Sequence, residues 1–178
     1  MKKAVGLVLA LALTMALASC LIGCSSGYTT IKGSGYSFEV NSKWEAEKYD
    51  SETYYYYPNG EDRISYLYVS EYSKSYPDNS LSDQYDAILK YYLADGSYAD
   101  GALVTKYTNI EKGTLGAYAF VTADGEMITG SYTIYSFELY FYTSPTMMVT
   151  FRFSSTEKSD LDTYKKDIDR LFKSIKLI

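Results

Sequence analysis

Phe137-Glu138-Leu139-Tyr140-Phe141-Tyr142-Thr143-Ser144-Pro145-Thr146-Met147-Met148-Val149-Thr150-Phe151-Arg152-Phe153 is the stretch that decides the fold. Phe137, Leu139 and Phe141 recur at every second position. So do Met147, Val149, Phe151 and Phe153, alternating with Met148, Thr150, Arg152 and Ser154. A period of two is the signature of a strand with one face turned to a core. Ser144-Pro145-Thr146 lies between the runs and carries turn chemistry. A three-residue loop sets Leu139 opposite Phe151 and Glu138 opposite Arg152. Core then meets core, and an acid meets a base on the other face, as cross-strand pairing prefers. A two-residue loop would oppose core to surface, because a one-residue slip turns every side chain over. The reading is an antiparallel hairpin.

Working outward on the N-terminal side, Leu115 to Ala123 alternates Ala117, Ala119 and Val121 against Tyr118, Phe120 and Thr122. Asp124-Gly125 is a two-residue hairpin signal, predicted to pair Val121 with Ile128 and Ala117 with Tyr132. Ile128, Tyr132 and Ile134 are even, whereas Phe137, Leu139 and Phe141 are odd, which predicts a bulge or break near Tyr135-Ser136. A further strand is expected from Leu103 to Ile110, with Asp100-Gly101 and Lys112-Gly113 as turns. On the C-terminal side, Ser159-Asp160-Leu161-Asp162 resembles a capping box. Leu161, Tyr164, Ile168, Leu171, Phe172 and Ile175 form a helical stripe. Lys173 and Lys176 suit the negative end of its dipole. Ser174 to Leu177 is expected to leave the helix as a short terminal strand.

Earlier in the chain, Tyr36, Phe38 and Val40 alternate with Ser37 and Glu39, and Trp44, the only tryptophan, is placed in the core beside them. Thr53 to Tyr57 and Ile64 to Tyr72 form a hairpin around Pro58-Asn59-Gly60, where Asn-Gly supplies positive φ. Leu81, Tyr85, Ile88, Leu89 and Tyr92 then recur at helical spacing. Ser80 is the expected N-cap, with Asp83 three residues on, and Gly96 the expected C-cap.

The start of the chain reads differently. Lys2 and Lys3 precede an uncharged apolar run, Ala4 to Ala18, and small residues follow. That is the pattern of a cleaved export signal. Leu21-Ile22-Gly23-Cys24 resembles the lipobox of bacterial lipoproteins, in which the cysteine receives a diacylglyceryl group and becomes the new N-terminus. Leu17-Ala18-Ser19-Cys20 also fits, but Ser25-Ser26-Gly27 makes a flexible tether directly after Cys24. The resulting division is a signal peptide over 1–23, a tether over 24–34 and one α+β domain over 35–178. The implied location is extracytoplasmic, held to the bacterial cell membrane by lipid.

Composition narrows the function. The 178 residues include no histidine, and both cysteines lie in the signal region. This removes the commonest general base and zinc ligand and every Ser-His or Cys-His arrangement. The chain has 17 basic and 22 acidic residues and a formal charge of −5, opposite to a nucleic-acid footprint. Its 22 tyrosines favour strands, and each combines an apolar ring with a polar tip.

Gly35-Tyr36-Ser37-Phe38-Glu39-Val40 followed by Trp44 resembles the opening of PsbP-like domains. The ending, Tyr164, Ile168 and Phe172-Lys173-Ser174-Ile175-Lys176-Leu177, is similar to their closing helix and strand. The resemblance covers about residues 34 to 178. It implies an antiparallel sheet with two main helices packed on it. It also implies a binding or assembly role, although a fold does not settle function. No metal-site residue is carried over, and no cofactor is expected.

Chemistry-bearing patterns are few. Asp160, Asp162, Asp167 and Asp169 in the last helix, and Asp83 and Asp86 in the first, invite an acid/base or calcium reading. They lie at helical positions, interleaved with Lys165 and Lys166 in the last helix, as on a solvated face, and lack EF-hand spacing. Ser155-Thr156-Glu157-Lys158 has Ser-x-x-Lys spacing without the partner motifs of penicillin-binding enzymes. Tyrosine remains. Tyr54, Tyr55, Tyr56 and Tyr57, with Tyr66 and Tyr68, place rings on both faces of one hairpin and are the candidate binding surface. One row, Tyr54 with Tyr56 or Tyr55 with Tyr57, is expected to stay partly open. The function expected is a membrane-anchored, non-catalytic binding or assembly lipoprotein with an envelope protein or glycan partner. The class-distinct alternative is a carboxylate-dependent hydrolase of envelope polymers.

Overall fold

The computed structural model describes residues 27–60, 63–94, 96–97 and 103–178. The signal segment, Cys20 and Cys24, the first tether residues and the Asp100-Gly101 turn lie outside them. Three strands, β1 (Tyr28–Lys32), β2 (Tyr36–Asn41) and β11 (Lys176–Leu177), form a small sheet in the order β1-β2-β11. The large sheet uses β3 (Glu45–Lys48), β4 (Thr53–Tyr57), β5 (Tyr66–Ser73), β6 (Gly96–Ser97), β7 (Leu103–Leu115), β8 (Tyr118–Thr129), β9 (Tyr132–Ser144) and β10 (Met147–Ser155). Its order is β3-β4-β5-β10-β9-β8-β7-β6. Helix α1 (Leu81–Tyr91) follows β5, and α2 (Lys158–Ser174) follows β10. This is an α+β fold of antiparallel sheets with two helices packed on them.

The central hairpin has the register its sequence dictates: Leu139 faces Phe151 and Glu138 faces Arg152. Tyr55 opposite Tyr68 and Tyr56 opposite Leu67 likewise complete the 53–72 hairpin. Ser80 caps α1 through a capping box, accepting from the Asp83 amide at 3.1 Å while the Asp83 carboxylate accepts from the Ser80 amide at 3.2 Å. The terminal strand is present too, with Leu177 opposite Tyr36.

Several local expectations are corrected. Tyr28–Lys32, assigned to the tether, pairs with β2 as a strand. Asp124-Gly125 is not a turn but the middle of β8. The chain reverses instead at Gly116 (φ +62°) and Gly130 (φ +54°), both left-handed. Gly125 is small for a packing reason: a Cβ there would lie 2.3 Å from Ser136 Oγ and 3.1 Å from Glu138 Oε1. Lys112-Gly113 lies within β7 rather than at a turn. The irregularity foreseen at Tyr135-Ser136 is absent, for β9 pairs evenly with β8 throughout. It falls on β7, between Thr108 and Glu111, where Asn109 has φ +52°. The change of parity in β9 has another cause: Phe137, Leu139 and Phe141 face the main core and α2, whereas the exposed Tyr132 and the cleft-lining Ile134 belong to the opposite face. The C-cap of helix α1 is Tyr92, not Gly96. Helix α2 begins before the supposed capping box, with Glu157 at the N-cap and no side-chain cap bond.

The two faces of the large sheet differ in chemistry. On one, Leu67, Val69, Leu139, Phe141, Val149, Phe151 and Phe153 pack with Tyr36, Phe38 and Val40 of β2, with Trp44, and with Ile168 and Leu171 of α2. Aromatic pairs lock this layer, including Phe38 against Phe151, edge-on with centroids 4.8 Å apart. Among the described residues the opposite face is covered by α1 at one end only. There Ile88 and Leu93 meet Val121, Ala123, Tyr140, Tyr142 and Met148.

Candidate functional site

Helix α1 stops at Tyr91, and the sheet continues past it. The uncovered part is a cleft of about 280 Å³. Tyr91 and Tyr92 form one wall, and Tyr66 of β5 and Tyr107 of β7 stand around it. Its floor is Ser136, Glu138 and Tyr140 of β9 with Arg152 and Ser154 of β10. All five floor residues are even-numbered, because a strand sends alternate side chains to one face.

Glu138 is only 3% exposed. Burial of a carboxylate is costly unless it is paired and hydrogen-bonded. Here Oε1 accepts from Ser136 Oγ at 2.8 Å, and Oε2 accepts from the Tyr140 hydroxyl. Arg152 Nε lies 3.0 Å from Oε1 as an ion pair, and Arg152 Nη2 donates to the Tyr140 oxygen at 3.2 Å. Burial pushes the Tyr140 phenol well above its ordinary range, and the Glu138 charge adds to the rise. Burial acts to lower the Arg152 pKa, but the Glu138 and Tyr140 oxygens outweigh it and hold the guanidinium charged. The pair is therefore neutral overall and spoken for on its inner side. Ser154 Oγ, beside it, is buried and has no hydrogen-bond partner among the described residues; neither has Thr150 Oγ1 two positions earlier.

The six tyrosines singled out from sequence are divided by the structure. Tyr56 enters the main core, T-shaped against Phe38 with centroids 6.2 Å apart. Tyr54, on the same row, lies at the sheet margin under the Lys48 ammonium, 5.6 Å from its ring centroid. Tyr55, Tyr57, Tyr66 and Tyr68 gather on the other face. Tyr55 lies 5.6 Å from Tyr66, 5.5 Å from Tyr68 and 6.2 Å from Tyr57. Tyr57 is buried, with the Arg63 guanidinium 4.8 Å above its ring. Tyr55, Tyr66 and Tyr68 are half-buried. The track continues inward: the Tyr68 and Tyr72 hydroxyls are 2.9 Å apart, Tyr72 meets Tyr92, and Tyr92 meets Tyr140. Burial and the bond with Tyr68 push Tyr72 up to about 12.

Sequence reasoning paired Glu138 with Arg152 but placed the pair on a solvated face, and it did not single out Tyr91, Tyr92, Tyr107 or Tyr140. A signal was present. In β9 the even row, with Tyr140 and Tyr142, is as aromatic as the odd row, and a strand aromatic on both sides is covered on both sides.

The acids of the helices have local duties. Asp160 Oδ2 accepts from Ser65 Oγ at 2.5 Å and Ser155 Oγ at 2.8 Å, so the serine of the Ser-x-x-Lys stretch is engaged in anchoring α2. Asp167 accepts from the Tyr28 hydroxyl at 2.5 Å and from Asn41 Nδ2 at 3.0 Å. Asp169 pairs with Lys165 at 2.9 Å, and Asp83 caps α1. Asp86 and Asp162 are exposed. Among the described residues no helix is long and apolar enough to cross a membrane.

No protein-family model matches the chain, and no curated protein matches it. Solved structures do. The solution structure of cyanobacterial PsbP (CyanoP) from Synechocystis sp. PCC 6803 superposes with a TM-score of 0.62 at 16% identity, over 89% of this chain and 99% of that one. A Pseudomonas aeruginosa protein of unknown function gives a TM-score of 0.45 at 11% identity, over 83% of this chain and 95% of that one. The described chain thus has a PsbP-like fold.

Proposed function

We propose that this chain is a lipid-anchored extracytoplasmic protein whose domain is a non-catalytic binding or assembly module. The observation that carries the binding role is the uncovered half of the polar sheet face. The other face is also open, in a groove beside α2, but that groove is lined mainly by charged and polar side chains such as Lys106, Asp124 and Lys165. Over the polar face, half-buried tyrosines surround instead a buried Glu138 neutralised by the partly exposed Arg152. Such concave sites with aromatic walls and a few convergent polar groups are the usual form of binding pockets. The hydrolase alternative is less well supported. Both Glu138 oxygens already accept protein donors; of the helix acids Asp83 caps α1, Asp169 pairs with Lys165, Asp160 and Asp167 accept side-chain hydrogen bonds, and Asp86 and Asp162 face solvent.

The anchor rests on Lys2-Lys3, the apolar run and Leu21-Ile22-Gly23-Cys24. Two acyl chains on one cysteine hold a protein stably where one does not. Cys24→Ala is expected to abolish membrane retention, leaving a soluble or uncleaved product, and the intact mass of the mature N-terminus reports the lipid directly. A diacylglyceryl group on Cys20 would move the site; an unlipidated mature chain would remove the anchor from the reading. Crosslinking and pull-down of the wild-type protein from intact cells tests the binding role, and it fails if nothing is captured above an unrelated lipoprotein.

A further inference from the structure

The cleft beside α1 has four properties that together select a ligand. Its floor holds a charge pair that is already neutralised within the protein, and the other charged residue on its lining is the acid Glu126, so an anionic ligand gains nothing there. The buried Ser154 Oγ, 1% exposed, has no partner among the described residues, and it lines the cleft. A buried hydroxyl left unpaired is destabilising, and it can both donate and accept. The walls are phenol rings, Tyr66, Tyr92 and Tyr107, each with a flat apolar face and a polar rim. Finally, the cleft opens on the face of the sheet, over β9 and β10, while the sheet's edges are β3 and β6. A peptide added as an extra strand needs an edge, so that mode is not available here.

We infer that this cleft binds a neutral carbohydrate, with pyranose rings lying on the Tyr66 and Tyr92 faces and hydroxyls exchanging hydrogen bonds with Ser154 and the outward N–H groups of Arg152. A sugar ring offers an apolar C–H face to an aromatic ring and hydroxyls that donate and accept at its rim, which is the complement of this wall and floor. The track from Tyr66 to the half-buried Tyr55, centroids 5.6 Å apart, extends the platform beyond one ring, and it ends there because Tyr57 is buried beneath Arg63. The ligand is accordingly an oligosaccharide chain rather than a single sugar. This inference rests on the binding-module reading above and names the ligand class for it.

The test uses the full-length chain in a sugar-free zwitterionic detergent, titrated calorimetrically with maltohexaose, cellohexaose and chitohexaose, and with polygalacturonate as an anionic counterpart. Saturable binding of at least one neutral probe is expected, with polygalacturonate weaker. Tyr92→Ala and Tyr66→Ala are each expected to weaken it roughly tenfold, the loss typical of a central aromatic anchor. Tyr66→Phe keeps the ring face and is expected to retain most of the affinity. Tyr91→Ala, at a residue 66% exposed and so without consequence for folding, should give a smaller loss. Tyr54→Ala, on the opposite face, should change nothing. No binding of any neutral probe overturns the inference, as does a preference for polygalacturonate or an unchanged affinity in Tyr91→Ala together with a folded Tyr92→Ala. Capture of a protein partner that is lost in Tyr92→Ala, without any oligosaccharide binding, overturns the carbohydrate while leaving the binding module standing.

Discussion

Strand β10 divides the molecule into two regions with different purposes. Its odd residues, Val149, Phe151 and Phe153, are fully buried against β2 and α2. Its even residues from Thr150 onward, Thr150, Arg152 and Ser154, point to the tyrosine face. All three have a buried polar atom without a hydrogen bond, and the Arg152 atom is met only by the Glu138 ion pair. The first region gains from every atom it removes from water, each buried Phe contributing about 1.5–3 kcal/mol. The second keeps polar groups in places where apolar ones would be more stable. A fold tolerates that where a surface has a use other than stability.

The largest effect that would expose this difference is alkaline titration. Tyr72, Tyr140 and Tyr142 on the polar face, and Tyr36 on the apolar one, all have pKa values raised mainly by burial. A raised folded pKa means the unfolded chain releases its protons first. The stabilisation is therefore fully present below about pH 10, the ordinary phenol value, and is lost as pH rises through the folded values. Melting temperature is expected to fall steeply above pH 10, with the share of phenolate absorbance that comes from these four rings appearing in step with unfolding. Ionisation of every tyrosine in a still-folded protein would show that the buried rings are more open than described.

Next in size is Phe151→Ala. It removes a ring that touches Phe38, Phe141 and Tyr36, and is expected to cost about 3–5 kcal/mol in denaturant unfolding. On the polar face, Arg152→Met leaves the Glu138 carboxylate buried without its cation. Arg152 is itself partly exposed, so a discounted loss of about 2 kcal/mol is expected. Adding Glu138→Leu should restore much of it, since replacing both members of a buried pair with apolar groups is often neutral. A double variant no more stable than Arg152→Met would mean the pair supports the sheet rather than a ligand. The smallest effect is expected from Thr150→Val and Ser154→Ala. Each removes a hydroxyl that has no partner among the described residues, and stability should hold or rise by up to about 1 kcal/mol. A loss above that would reveal a hydrogen bond on this face and blur the contrast between the two regions.

The alternation from Phe137 to Phe153, and the capping signal at Ser80-Asp83, were readable because each depends on local geometry: two residues per strand repeat, and one turn of helix. The same locality explains the errors. Asp124-Gly125 has turn chemistry, but Gly125 lies beneath Ser136 and Glu138, and side-chain space decided its place. Tyr28–Lys32 reads as a tether until β2 supplies the partner that makes it a strand.

By itself, the sequence determined the α+β class, the central register, both helices and the hairpin that bears the tyrosines, all from periodicity and cross-strand chemistry. Only the tertiary structure decided which face each tyrosine serves, that Glu138 and Arg152 are drawn under cover, and that a cleft opens where α1 ends. Those outcomes depend on the length and placement of α1 over a sheet assembled from distant strands. Whether a polar pair faces water or a closed layer is set by what packs above it, which no local pattern contains.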